Sequence, residues 1–359
     1  MPRPRVLGIL ERLSRQPAAP LHEERVAREA AAVARASGAR VRADPFGNLV
    51  LTPPGTARGP PTWLVAHMDH PGFEHAGGGE ARFLGGIGPA YLRRGVRLRF
   101  YRDGEPVAAT IARLTRTARP MRVRLAGAEA ERLRRGDFGV FEMEDYRASG
   151  GRIHARQLDD LVGCAVSLDV IERACRRPAN VRALLTRAEE LGFVGTIAAA
   201  TARTIPRGAT VLNVEASRAI PGVRIGGGPV VRVGDRTRTF DMAAENLLAA
   251  ARARLGDRPV QRALLTGGTC EATAWALFGY PSTGVALPLG NYHNQGPRNA
   301  VRPEVIAAAD LVGAADLVDL AVRSGARART LDDRLRRRIL RYVREHGPRL
   351  RATREFVAP

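Results

Sequence analysis

The sequence contains no lysine: all 57 of its basic residues are arginine, and against 36 acids they leave a net charge of +21. So one-sided a choice reads as compositional bias rather than as a selected patch. Aromatic residues are scarce, at 5%. They are not interleaved with the arginines in the way a nucleic-acid surface requires, so a nucleic-acid partner is not expected. Cysteine is nearly absent too. Cys164, Cys175 and Cys270 show no CxxC spacing, and their odd number excludes a fully paired disulfide framework. Reduced thiols inside a cell are the expectation. No run approaches the ~18 apolar residues of a membrane span. The N-terminal MPRPRVLGILERLSRQ lacks the apolar stretch of a secretory signal. A cytoplasmic chain with no membrane partner is expected.

What the chain has is core material. Apolar residues make up 45% of 359 positions, enough for one large domain or two. Val6–Leu13 and residues 23–36 show helical periodicity, and Arg40–Val50 reads as two short strands about a turn. The apolar run at residues 62–66 reads as a buried strand entering His67-Met68-Asp69. From Gly72 to Glu144 short alternating runs sit between Gly, Pro and charged turns, the pattern of a small β-barrel or sandwich. Strands and helices then alternate again: strands 181–185, 210–214 and 282–286, with helices after Asp160 and over 241–255, 270–278 and 304–322. That alternation implies an α/β fold with a largely parallel sheet and helices on both faces. The expected division is a discontinuous main domain (1–71 and 145–325), an inserted barrel (72–144) and an Arg-rich helical tail (326–359). In that tail Thr330 is the expected cap. Leu331, Leu335, Ile339 and Tyr342 form an apolar stripe expected to pack on the body or a neighbouring subunit.

Ligands of an open α/β sheet bind at the C-terminal ends of its strands. Here strands run into His67, Glu190, Glu215 and His293, while Asp159 precedes a helix. Each has a plain alternative: a core histidine, a helix cap, an exposed loop acid. Together they form a nitrogen and oxygen donor set suited to zinc, cobalt or manganese. Two ions that share a bridging carboxylate need about this many ligands. Asp69 is placed to accept the second N–H of the His67 imidazole and fix its tautomer. Glu189, adjacent to Glu190, lies beside the set.

Four motifs carry a resemblance: AHMDHPGF around His67, LDDLVG at Leu158–Gly163, AEELGFVG at Ala188–Gly195 and GGTCEA at Gly267–Ala272. The chain resembles the glutamyl aminopeptidase family, the tetrahedral, deblocking type of dinuclear metallo-aminopeptidase, to about Val322. The resemblance implies a zinc-exopeptidase-like fold with a barrel insert, two divalent ions (most suitably zinc), short peptide substrates and a homo-oligomer, a dodecamer in that family. It implies that His67 and Glu215 bind the first ion, Glu190 and His293 the second, and that Asp159 bridges both. Glu189 becomes the general base, working on a metal-activated water. The chain departs from the family pattern in four places. Leu161 stands where that motif has arginine, Glu215 where it has aspartate and Cys270 where GGTD has aspartate, and His293 sits in GNYHNQG. No ligand is lost by these changes. Two other readings remain: a related amidohydrolase acting on N-acyl amino acids, and a non-catalytic Arg-rich binding protein.

Overall fold

The computed structural model describes residues 4–55, 59–325, 328 and 330–353. Its centre is an eight-stranded sheet in the order Arg40–Ala43, Leu49–Thr52, Val181–Thr186, Thr62–His67, Thr210–Arg218, Ser282–Leu289, Val230–Asp235, Gln261–Leu265. The four middle strands are mutually parallel, and antiparallel pairs occur only towards the two sides. Because side chains alternate across a strand, each strand feeds two cores. Leu64, Ala66, Ala183, Leu185, Leu212 and Val214 pack against helices Arg5–Ser14, Glu24–Ala36, Leu161–Arg176 and Ala308–Val322. Trp63, Val65, Leu184 and Val211 face the other way, towards Ala199, Ala200 and Trp275 of helices Val194–Thr201 and Glu271–Leu277. Both faces are covered, as the near-continuous apolar strands require.

Six strands between Gly72 and Phe141 close into an antiparallel barrel around Phe73, Phe83, Phe100 and Phe141. Of these, Gly72–Gly77 and Glu80–Leu84 were not separately legible in the sequence, because Gly77-Gly78-Gly79 blurs the alternation where the chain turns back.

Several expectations change. The segment 304–322 is not one helix: Glu304–Ala307 is a strand pairing with Arg152–Ala155, and the helix begins at Ala308. Val305 and Ile306 are β-branched and suit a strand. Thr210 starts a strand that runs on to Arg218, so Glu215 lies inside it rather than after its end. Val230–Asp235 and Gln261–Leu265 are additional strands. The tail helix spans Leu331–Ala352, continuing past Gly347 and Pro348. Thr330 precedes it without a side-chain cap, and Ile339 and Tyr342 of its stripe are exposed rather than packed on the body.

Candidate metal centre

The pairing of Val181–Thr186 with Thr62–His67 sets Thr186 opposite His67. Three residues beyond Thr186, the chain turns through Glu189–Leu191, with Ala188 and Phe193 both in the left-handed region. Asp69 holds this turn: its two carboxylate oxygens accept the N–H groups of Glu189 at 3.0 Å and Glu190 at 3.1 Å. The buried Glu23 carboxylate secures the preceding stretch, accepting from the Ala188 N–H at 3.0 Å and from Arg187 Nε at 2.7 Å. Gly195, closing the AEELGFVG motif, admits no side chain, since a Cβ there would run into the Arg187 carbonyl.

The two aspartates before helix Leu161–Arg176 divide their work. Asp160 is the helix cap, accepting from the Gly163 N–H at 3.1 Å, and also from the N–H groups of Ala216 at 3.0 Å and His67 at 3.3 Å. It therefore ties the helix to two strands. Gly163 lets the helix approach so closely that a Cβ would strike the Val214 carbonyl. Asp159, joined to Asp160 by a cis peptide bond, turns its carboxylate towards both histidines.

The expected ligands converge. Donor atoms of His67, Asp159 and Glu215 lie within 4.8 Å of one another, and so do those of Asp159, Glu190 and His293. A third group, His67 with Glu189 and Glu190, meets the same limit; Asp159 belongs to the first two, with Oδ1 3.4 Å from His67 Nε2 and Oδ2 3.6 Å from His293 Nε2. His293 Nε2 is 2.8 Å from Glu190 Oε1. Glu189 Oε2 is 3.9 Å from His67 Nε2, at the side of the pair. These residues can hold divalent cations. Asp159 Oδ1, on the His67 side, and His293 Nε2, on the Glu190 side, are buried without a well-formed hydrogen bond, as suits atoms left to face cations.

Asp69 meets His67 through two groups: Nδ1 lies 3.1 Å from its main-chain carbonyl and 3.5 Å from its carboxylate Oδ1, and the same carboxylate also grips the Glu189–Glu190 turn. His293 Nδ1 is held in the same way by the Gly86 carbonyl at 2.5 Å, on the chain leaving the barrel strand Glu80–Leu84.

Three supporting residues escaped the sequence reading. Glu304 Oε2 accepts from the N–H groups of Leu158 at 2.7 Å and Asp159 at 3.0 Å, while its Oε1 accepts from the His293 N–H at 2.8 Å. One carboxylate thus clamps a residue of each histidine's neighbourhood. Glu271 accepts from Thr186 Oγ1 at 2.5 Å and also from Thr196 Oγ1. Arg232, almost wholly buried, places Nη1 3.3 Å from Glu215 Oε2 and 3.1 Å from Ser217 Oγ. The only sequence signal for Glu271 and Glu304 is position: Glu271 lies inside the GGTCEA motif and Glu304 opens the segment 304–322, both named for other reasons.

Electrostatics agree with a cation site. Burial pushes Glu215 up to about 8, only partly offset by Arg232. Burial also raises Glu189 well above the carboxylate range, against the pull of His67. For His67, burial disfavours the charged ring, but the carboxylates of Glu189, Asp159 and Asp69 outweigh it and hold its pKa well up. A cation among these groups would neutralise them together and restore their ionised, ligating forms.

The cluster lies in a cleft of about 680 Å³. Gly86, Ile87, Gly88 and Arg119 form a wall from the barrel side; Arg218, Arg236 and Gly267–Thr269 form the opposite one. A stacked column runs beside it, with Tyr292 3.7 Å from His293 ring to ring and the Arg218 guanidinium 5.0 Å above Tyr292.

A mostly parallel α/β sheet with a barrel insert, and a histidine–carboxylate cluster at the strand ends, is the architecture of metal-dependent exopeptidases. Among solved structures, the fold matches the TET1 peptidase of Pyrococcus horikoshii at 19% identity and TM-score 0.73, covering 88% of this chain and 99% of that one. It also matches an aminopeptidase of the archaeon Desulfurococcus kamchatkensis at 22% identity and TM-score 0.72, covering 88% and 94%. Yeast aminopeptidase 1 matches at 11% identity and TM-score 0.63, covering 90% and 97%. No curated protein matches the sequence. Residues 124–311 match the model of the M42 glutamyl aminopeptidase family, and the chain belongs to that family of peptidases.

Proposed function

We propose that the chain is a dinuclear metal-dependent aminopeptidase that removes N-terminal residues from short peptides. One observation carries the reading: Asp159 is common to two donor triads, His67 with Glu215 and Glu190 with His293. Ions held there, most suitably zinc and otherwise cobalt or manganese, would polarise the scissile carbonyl and lower the pKa of a water. Glu189 takes that water's proton and returns it to the leaving amine. Its carboxylate stands beside the donor set, with Oε2 3.9 Å from His67 Nε2, which supports that role. Asp69 and Glu23 hold Glu189 in place through the backbone of its turn.

The cleft adds a preference. Arg119, Arg218 and Arg236 line it and have no carboxylate partner among the described residues. They suit a substrate carrying a carboxylate, such as a peptide with an acidic N-terminal side chain. The same arginines would hold the free carboxylate of an N-acyl amino acid, which keeps the deacylase as a second reading. Residues 1–71 and 145–325 are read as the catalytic unit and 72–144 as the barrel insert. TET1 peptidase assembles into a tetrahedron or an octahedral shell, and we extend homo-oligomerisation to this chain. Its three unpaired cysteines suit the cytoplasm.

The test is nitroaniline release from unblocked aminoacyl anilides, with zinc, cobalt or manganese supplied, beside hydrolysis of N-acyl amino acids. Glutamyl and aspartyl anilides are expected to turn over faster than leucyl. Hydrolysis of N-acyl amino acids alone would replace the aminopeptidase by the deacylase.

A further inference from the structure

Beyond the catalytic cleft, the molecule carries an unpartnered helix. Leu331–Ala352 has eight arginines against three acids, a density well above that of the chain as a whole. At ~100° per residue, Leu331, Leu335, Ile339, Tyr342, Val343 and Leu350 fall on one arc of about 120°, which Asp332, His346 and Arg349 share. Its first two turns meet the body, where Leu331, Arg334, Leu335 and Arg338 line a crevice with Ala249, Ala250 and Ala253. Further along, the stripe is bare: Ile339 is 57% exposed, Tyr342 60% and Leu350 67%. Arg337, Arg338, Arg341 and Arg344 have no carboxylate partner among the described residues.

We propose that this helix docks on an anionic lipid surface, with its apolar stripe in the headgroup boundary and its arginines on the lipid phosphates. Charge decides between the possible occupants. A second copy of the helix would set Arg336 and Arg338, which border the stripe, against their own kind, in a chain already at +21. Nucleic acid would engage the arginines and leave the stripe in water. An anionic bilayer surface uses both faces at once, by apolar burial and by attraction to each arginine. Leu340 lies outside the arc and touches neither surface. Among the described residues no helix is long and apolar enough to cross a membrane, so the proposed contact is peripheral.

The experiment is co-sedimentation of the full chain with vesicles of phosphatidylcholine alone or with about a quarter phosphatidylglycerol. Binding is expected only to the second kind, and about 0.5 M salt, which shortens screening to a few Å, should release it. The double substitution Ile339→Glu with Tyr342→Glu should weaken binding at least about tenfold, with aminoacyl hydrolysis unchanged. Equal sedimentation with both vesicles, or undiminished binding by the double variant, overturns the proposal. So does either of two alternatives: a lipid-free drop in oligomer mass on substitution, which assigns the stripe to a second copy, or duplex DNA binding that the substitution abolishes.

Discussion

The C-terminal end of the central sheet and the wall of the barrel both bury carboxylates but treat charge in opposite ways. The barrel encloses Phe73, Phe83, Phe100 and Phe141, and its buried carboxylate, Glu74, on the outer side of the strand from Phe73, is met by His22 and Arg82. Its charges are balanced by the protein's own cations. The sheet end gathers Asp69, Asp159, Asp160, Glu189, Glu215, Glu271 and Glu304, all buried, around His67, His70, His293 and Arg232. Backbone N–H groups satisfy Asp69, Asp160 and Glu304, but Asp159, Glu189, Glu190 and Glu215 converge with too little positive charge among them. A region that is costly to form alone and inexpensive with an ion is built for binding, whereas a region complete in itself is built for shape.

The largest expected effect lies at the sheet end. Glu189→Gln should lower kcat by about 10²–10⁴ while bound metal, read by elemental analysis, stays the same. Undiminished turnover would remove Glu189 from the role of base. In the barrel, Phe100→Ala should cost about 3–5 kcal/mol of stability, read as a shift of the denaturant midpoint, with metal affinity of the folded protein unaltered. Loss of metal from protein that is still folded would show that the two regions are coupled. A smaller effect is expected from Glu304→Gln. The amide must turn a donor towards N–H groups of Leu158 and Asp159 or of His293, and metal affinity should fall by about 10–100-fold in competition with a chelator. An affinity unchanged by that substitution would reduce Glu304 to a packing residue.

The smallest effect is the pH dependence of the metal-free protein. Glu215 at about 8 and the raised Glu189 bind protons in the folded state that the unfolded chain has already released above about pH 4.5. Raised His67 and His293 act in the same sense once pH passes their ordinary value. Stability without metal should therefore decline between about pH 5 and 8, and the protection given by added zinc should grow over the same interval. A melting temperature that rises with pH in the metal-free protein would contradict the charge excess at the sheet end.

Much of the fold was legible because its signals are local. Strands Thr62–His67 and Val181–Thr186 read as mostly apolar runs, the second interrupted by Arg182, and the helices of the main core show their period. The barrel's presence was legible from its texture, although two of its strands were not. The short strand Glu304–Ala307 was read as helix because it borders a long apolar helix, and only its partner Arg152–Ala155 makes it a strand. Of the site, His67, Asp159, Glu190, Glu215 and His293 could be named because chemistry restricts which side chains bind metal. Glu304, Glu271 and Arg232 could not, since a buried carboxylate or guanidinium looks in a sequence like any surface charge.

By itself, then, the sequence determined the donor set and the alternation that builds a parallel sheet, since both depend on residue type and on spacing along the chain. Only the tertiary structure decided that Asp159 lies between two triads, that Asp69 grips the Glu189–Glu190 turn, and that the stripe of the tail helix is exposed from Ile339 onward. Those are relations between segments up to hundreds of residues apart, and a carboxylate's role is set by which N–H groups and histidines surround it in space.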